Sequence, residues 1–140
     1  MRRLTLAAIN LLIFVVSGAI NCGILVHLTP DTPPDSVISM WSQIIQTHSV
    51  FISILIGGIF TTERRNSRLH RSIATLSIFL SLAWVALILS SWIGYPAHIN
   101  ADGKGGLVEI FGQRSTEASF LIAGMLAYIA GAKGEDRQGG

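Results

Sequence analysis

The chain has 140 residues, half of them hydrophobic and only 13% charged, with a net charge of +2. Soluble domains carry about 25% charged residues, so the composition excludes an ordinary soluble domain and predicts a single membrane domain with room for four spans. The Lys and Arg residues flank apolar runs and read as topology signals, which argues against nucleic-acid binding.

Span 1 is expected over Leu4–Leu28, uncharged and preceded by Arg2 and Arg3. The Ser17-x-Ala19 pair would suit cleavage of a signal peptide, but the apolar run continues past it through Ile24, Leu25 and Val26. That is too long for a typical signal-peptide core, so a retained helix is expected. Cys22, the only cysteine, lies inside this run; it excludes an intrachain disulfide and argues against a thiolate metal cluster. Asn21 occupies the position where a lipoprotein cysteine requires a small residue. Thr29–Asp35 contains three prolines and reads as a stiff loop, with Asp35 or Ser36 capping the next helix.

Span 2 is expected over Ser36–Thr62. Its polar residues Ser39, Ser42, Gln46, Ser49 and Ser53 recur at spacings of three and four, continuing to Gly57, so they share one helical face. Hydrocarbon offers such a stripe no hydrogen-bond partner. It predicts a seam against protein or, alternatively, the lining of a water-filled path.

Span 3 follows the cluster Glu63–Arg71. Ser72–Tyr95 is a run of 24 residues without a charge, with Trp92 and Tyr95 at its far end as an interfacial aromatic pair. Ser77, Ser81 and Ser91 fall on one side together with Ala74, Trp84 and Ile88, a pattern expected from packing. Residues 96–116 are expected as an outer loop. In it Asp102–Gly106 reads as a turn and Leu107–Phe111 as part of a surface hairpin. Span 4 is expected over Glu117–Ala132, where Ser119, Ala123, Ala127 and Gly131 form a small-residue ladder suited to close helix approach. The Gly-rich tail from Lys133 to Gly140 is expected to be disordered.

Positive charges orient the spans. Arg2, Arg3, Arg64, Arg65, Arg68, Arg71, Lys133 and Arg137 fall on one side of a four-span chain, and only Lys104 and Arg114 on the other. The expected fold is therefore an antiparallel four-helix transmembrane bundle with both termini cytoplasmic, in the cell (inner) membrane.

Chemistry is sparse. Apart from Glu117 at the very start of span 4, no Asp, Glu, Lys or Arg lies inside a span, which argues against proton-coupled transport and voltage sensing. No nucleophile, base and orienting group stand out together, so no enzyme is expected. No cofactor is expected either. The alternative is haem b or a metal ion held by two of His27, His48 and His98, all toward the outer leaflet. Burial of His48 in span 2 predicts a neutral ring that needs a partner on another helix, for instance Asn21. The function expected is that of a small accessory or self-associating membrane subunit acting through helix packing, with itself or within a larger membrane complex. The alternatives are an oligomeric pore of the holin or defence type, lined by the stripe of span 2, and a haem-binding redox subunit.

Overall fold

A computed structural model describes residues 1–28, 34–62, 68–93, 106–117 and 119–130. Residues 29–33 of the expected loop Thr29–Asp35, Arg64, Arg65, His98, residues 102–105 of the expected turn, Gly131 and the tail lie outside the described residues; Pro34 and Asp35 are already helical, so neither Asp35 nor Ser36 is the expected cap. The elements are α1 (Arg3–Leu28), α2 (Pro34–Thr62), α3 (Arg71–Leu89, continued by a 3-10 turn over Ser90–Trp92), α4 (Leu107–Glu117) and α5 (Ser119–Ala130). An isolated antiparallel bridge joins Arg2 to Arg68.

Three segments are long and apolar enough to cross a membrane: Arg3–His27, Val37–Phe60 and Arg71–Trp92. They form helices because a chain in hydrocarbon has to satisfy its backbone N–H and C=O groups within itself. α2 begins at Pro34, whose fixed φ and missing N–H suit a first helical position. α5 is apolar but has 12 residues, about 18 Å of helix, less than the ~30 Å hydrocarbon thickness.

Contacts at one end fix the helix directions. The N–H of Leu69 donates to the Met1 carbonyl at 2.9 Å, and the Met1 ammonium donates to the Leu69 carbonyl at 3.3 Å. α1 and α3 therefore start side by side. Arg3 Nη1 donates to the Tyr128 carbonyl at 3.4 Å, and the guanidinium carbon sits 5.4 Å from the Tyr128 ring centroid. The C-terminal end of α5 thus lies at the start of α1. Gly58, near the end of α2, packs on Ala130. α1 and α3 run in one direction, and α2 and α5 in the other.

Trp84 lies at the centre of the packed helices and is 1% exposed. Its ring meets Phe14 of α1 at 5.5 Å and Phe51 and His48 of α2 at 5.0 and 5.3 Å, all edge-on. Phe14 and Phe51 meet each other at 4.9 Å. Edge-on aromatic pairs are worth about 0.5–1.5 kcal/mol each beyond simple burial.

Residues 107–117, expected to include a surface hairpin, are helical instead. Phe111 and Ser115, four residues apart on α4, are both buried. Phe111 meets Trp92 at 6.4 Å, and the Trp84 indole N–H donates to the Ser115 carbonyl at 3.4 Å. α4 therefore descends alongside α3 from the level of Trp92 to the level of Trp84.

α2 and α5 approach closely at Gly58. A Cβ there would come within 2.6 Å of the Ala130 Cα, so only glycine permits this spacing. At the neighbouring Gly57, an added Cβ meets nothing within 4 Å. Gly58→Ala is expected to destabilise the protein by about 1–3 kcal/mol through overpacking. Gly57→Ala is expected to be neutral or to raise stability by up to about 1 kcal/mol through helix propensity. Unfolding of the two variants in mixed micelles checks the contrast; equal stabilities would place the α2–α5 contact elsewhere.

Candidate functional site

The buried polar groups concentrate on α1 and the faces it meets. Asn10, Ser17 and Asn21 are spaced seven and four apart, so they lie on one side of α1, and all are at most 1% exposed. They form two groups.

The lower group joins α1 to α3. Asn10 Nδ2 donates to the Leu6 carbonyl and to Ser77 Oγ, each at 2.9 Å, and Ser81 Oγ donates to Asn10 Oδ1 at 2.6 Å. One amide thus engages two serines one turn apart. The buried face of α3 is the expected one: Ala74, Ser77, Ser81, Trp84 and Ile88, followed by Ser91. Its serines pack as expected from their spacing, and Ser77 and Ser81 also bond across to Asn10. The available signal was an amide in an otherwise apolar run, at the same side of its helix as Ser17 and Asn21.

The upper group is a directed chain of donors ending at His48. Trp92 Nε1 donates to Asn21 Oδ1 at 2.7 Å, and Asn21 Nδ2 donates to the Ser17 carbonyl at 2.8 Å. Ser17 Oγ lies 3.0 Å from His48 Nε2, and His48 Nδ1 lies 2.8 Å from the Ile44 carbonyl. A carbonyl only accepts, so Nδ1 carries the proton; in the neutral ring Nε2 then accepts from the Ser17 hydroxyl. His48 was expected to bond to another helix, and it does, through Ser17 one turn from the suggested Asn21. Gly18 sits against the ring, where an added Cβ would meet His48 Cδ2 at 3.5 Å, an ordinary contact.

A hydroxyl hydrogen-bonded to an imidazole held by an acceptor is the pairing of an activated serine. Such a serine also needs room for a substrate. Ser17 is 1% and His48 3% exposed, and Trp84 closes over the ring, so the pair is sealed in the core. An open depression of about 680 Å³ lies instead on the first turns of α3, lined by His70, Arg71, Ser72, Thr75, Leu76 and Phe79.

Of the three histidines considered as alternative cofactor ligands, His27 and His48 are not brought together, and His98 lies outside the described residues. His27 is exposed on the last turn of α1, ten residues or about 15 Å of helix beyond Ser17, the partner of His48. A shared metal ion requires both nitrogens within about 2 Å of it. Both nitrogens of His48 are already engaged, so its ring does not fit an axial haem ligand in this arrangement. Among the described residues no three of His, Cys, Asp and Glu gather as a metal site.

The polar stripe of α2 lies on the opposite face from the core. Val37, Met40, Ile44, His48, Phe51, Leu55 and Gly58 are buried, whereas Ser39, Ser42, Gln46, Ser49, Ser53 and Gly57 are all exposed. The small-residue ladder turns gradually outward: Ser119 and Ala123 are half-buried and Ala127 is exposed.

Comparison with protein-family models, with curated proteins and with solved structures found no match.

Interhelical hydrogen bonds in membranes are worth on average about 0.6 and at most about 1.7 kcal/mol. Ser17→Ala and His48→Leu are each expected to cost an amount in that range or somewhat above, since His48→Leu also loses the Trp84 contact. The two losses should be less than additive, because both remove one bond. A double-mutant cycle measured by unfolding in micelles checks this; strict additivity would mean the Ser17–His48 bond contributes nothing.

Proposed function

We propose that the chain is a small, non-catalytic multi-pass membrane subunit that acts by helix packing, with copies of itself or within a larger complex. In this reading α1, α2, α3 and the α4–α5 pair form four antiparallel spans. The arginine-rich end and both termini face the cytoplasm, and the membrane is the cell (inner) membrane. The positive-inside bias supports the orientation. The positions of Arg2, Arg3, Arg68 and Arg71 at one end of the helices support it further.

One observation carries the reading. The outward face of α2, opposite its own core, presents Ser39, Ser42, Gln46, Ser49, Ser53 and Gly57 where a lone subunit would meet lipid. Serine hydroxyls can turn back onto their own helix, as Ser49 Oγ does to the Gln46 carbonyl at 3.0 Å. The Gln46 amide is larger, and in hydrocarbon it calls for protein or water. A pore lined by this stripe is the second reading. It is favoured by the span from Ser39 to Gly57, about 27 Å of helix, close to the ~30 Å hydrocarbon thickness.

Two outcomes are expected. A C-terminal reporter should be cytoplasmic and a cysteine at Asp102 should be labelled from outside; labelling of the tail by an impermeant reagent would overturn the four-span arrangement. The parent protein should migrate as an assembly on a native gel, and Gln46→Leu should shift it toward smaller species without loss of helicity. Dye release from liposomes by the parent, abolished by Gln46→Leu, would select the pore. An unchanged gel pattern would remove the stripe from the contact.

A further inference from the structure

The arginine-rich end gathers cations away from carboxylates. The backbones of Arg2 and Arg68 are bridged, and Met1 and Leu69 exchange hydrogen bonds, so α1 and α3 start at one level. Arg2, Arg68 and Arg71 are exposed there, while Arg3 is engaged by the Tyr128 carbonyl and ring. The carboxylates among the described residues stand elsewhere. Asp35 and Glu109 are on the first turns of α2 and α4, at the opposite end. Glu117 lies near the Trp84 layer, thirteen residues along α3 from Arg71. Glu63 is outside the described residues, and residues 63–71 hold four arginines to that one glutamate.

The open depression of about 680 Å³ belongs to this end, and its lining is graded along the axis of α3. His70, Arg71 and Ser72 stand at the start of the membrane-length segment Arg71–Trp92. Thr75 follows about 6 Å deeper, and Leu76 and Phe79 about 8 and 12 Å deeper. Ser72, Thr75, Leu76 and Phe79 are spaced three, one and three apart, so they share the outward face of α3, opposite the buried Ala74, Ser77 and Ser81. Leu76 is 47% and Phe79 66% exposed. His70 Nδ1 accepts from the Ser72 N–H at 3.4 Å, so in the neutral ring the proton sits on Nε2, a donor. The backbone at this terminus is thus capped already. What an anion meets is a set of side chains: the Arg71 guanidinium, the His70 ring and the Ser72 hydroxyl.

We propose that this depression seats an anionic phospholipid, its phosphate on Arg71, His70 and Ser72 and one acyl chain along Leu76 and Phe79. Charge complementarity selects the head. A cationic rim without carboxylates takes an anion, and a guanidinium pairs with phosphate through two parallel bonds. The lower wall selects the rest of the molecule. A free phosphate would leave Leu76 and Phe79 unused, although both lie inside the hydrocarbon segment. A second copy inserted in the same orientation would bring its own arginines to the same level. A lipid of the surrounding leaflet carries both parts in the right order along the membrane normal. The inference goes beyond the subunit reading: it holds for a monomer or an assembly and needs only that α3 spans the bilayer.

Quenching by brominated lipid in nanodiscs tests it. In a Cys22→Ser background, bimane is attached at Leu82→Cys, on the outward face of α3 just beyond Phe79, or at Leu12→Cys, on the outward face of α1 beneath Arg2 and Arg3. The two positions lie eleven and nine residues inside their spans, about 16 and 14 Å. Each protein is placed in phosphatidylcholine discs holding a minor share of phosphatidylglycerol, with one lipid or the other brominated at mid-chain. Phosphatidylglycerol is expected at Leu82→Cys about fivefold above its share of the lipid, and at Leu12→Cys much closer to its share. Fivefold is the effect of one arginine near a membrane surface, so Arg71→Gln should abolish the excess at Leu82→Cys and Arg71→Lys should keep most of it. Equal enrichment at both positions would overturn the depression as a site and reduce the effect to general attraction by the arginine-rich end. Enrichment at neither, or an excess at Leu82→Cys that survives Arg71→Gln, would overturn it as well. Where Arg71→Gln fails to fold, the comparison of the two labelled positions decides alone.

Discussion

Trp84 is where the helices meet. Its ring takes the edges and faces of Phe14, Phe51 and His48, and its N–H goes to the Ser115 carbonyl, so one side chain touches α1, α2 and α4 from α3. In lipid, apolar surface alone does little to favour this arrangement, because lipid tails are as apolar as leucine. What remains is shape and the pairing of polar groups. Trp84 supplies the shape. Asn10 below it and Ser17 and Asn21 above it supply the pairing, and α1 acts as a polar spine. Each of these groups would be costly without its partner in a medium that has no water to offer. The register of α1 against α2 and α3 is therefore set more by hydrogen bonds than by the amount of apolar area covered.

The same logic separates the two polar faces of α2. His48 is satisfied within the fold, through Ser17 and Ile44. The stripe through Gln46 points the other way and ends at the surface of the described fold. In the proposed reading that outward polar face is the one that packs on a partner. The tight Gly58–Ala130 contact fits this, since it lies on the inner side of α2 and leaves the outer side clear.

The long spans and the buried face of α3 were legible in the sequence, because charge-free length and helical spacing are properties of the chain alone. The side on which the α2 stripe would fall was not legible. Periodicity tells which residues share a face, but in a membrane helix polarity does not tell which face is inside, since both core and lipid are apolar. α4 was hidden for a different reason. Glu109, Arg114 and Glu117 lower its hydropathy and the preceding glycines suggest a turn, which masks the helical spacing of four and then seven between Phe111, Ser115 and Ile122. The roles of Asn10 and Ser17 were not legible, because a single small polar residue in an apolar run gives no sign of its partner, which lies 67 and 31 positions away in the chain.

α4 also shows where the charge in such a fold can be held. Arg114 reaches along α4 to Ser90, nearer the end of α3. Glu117 has a shorter side chain and accepts from Gln113 on its own helix. Three apolar helices are enough to hold the inner face of α4, through Phe111 and Ser115. They do nothing for the outer one. In the proposed reading the inner face holds this least apolar helix in the bilayer, and a partner packed on the outer face would hold it more firmly.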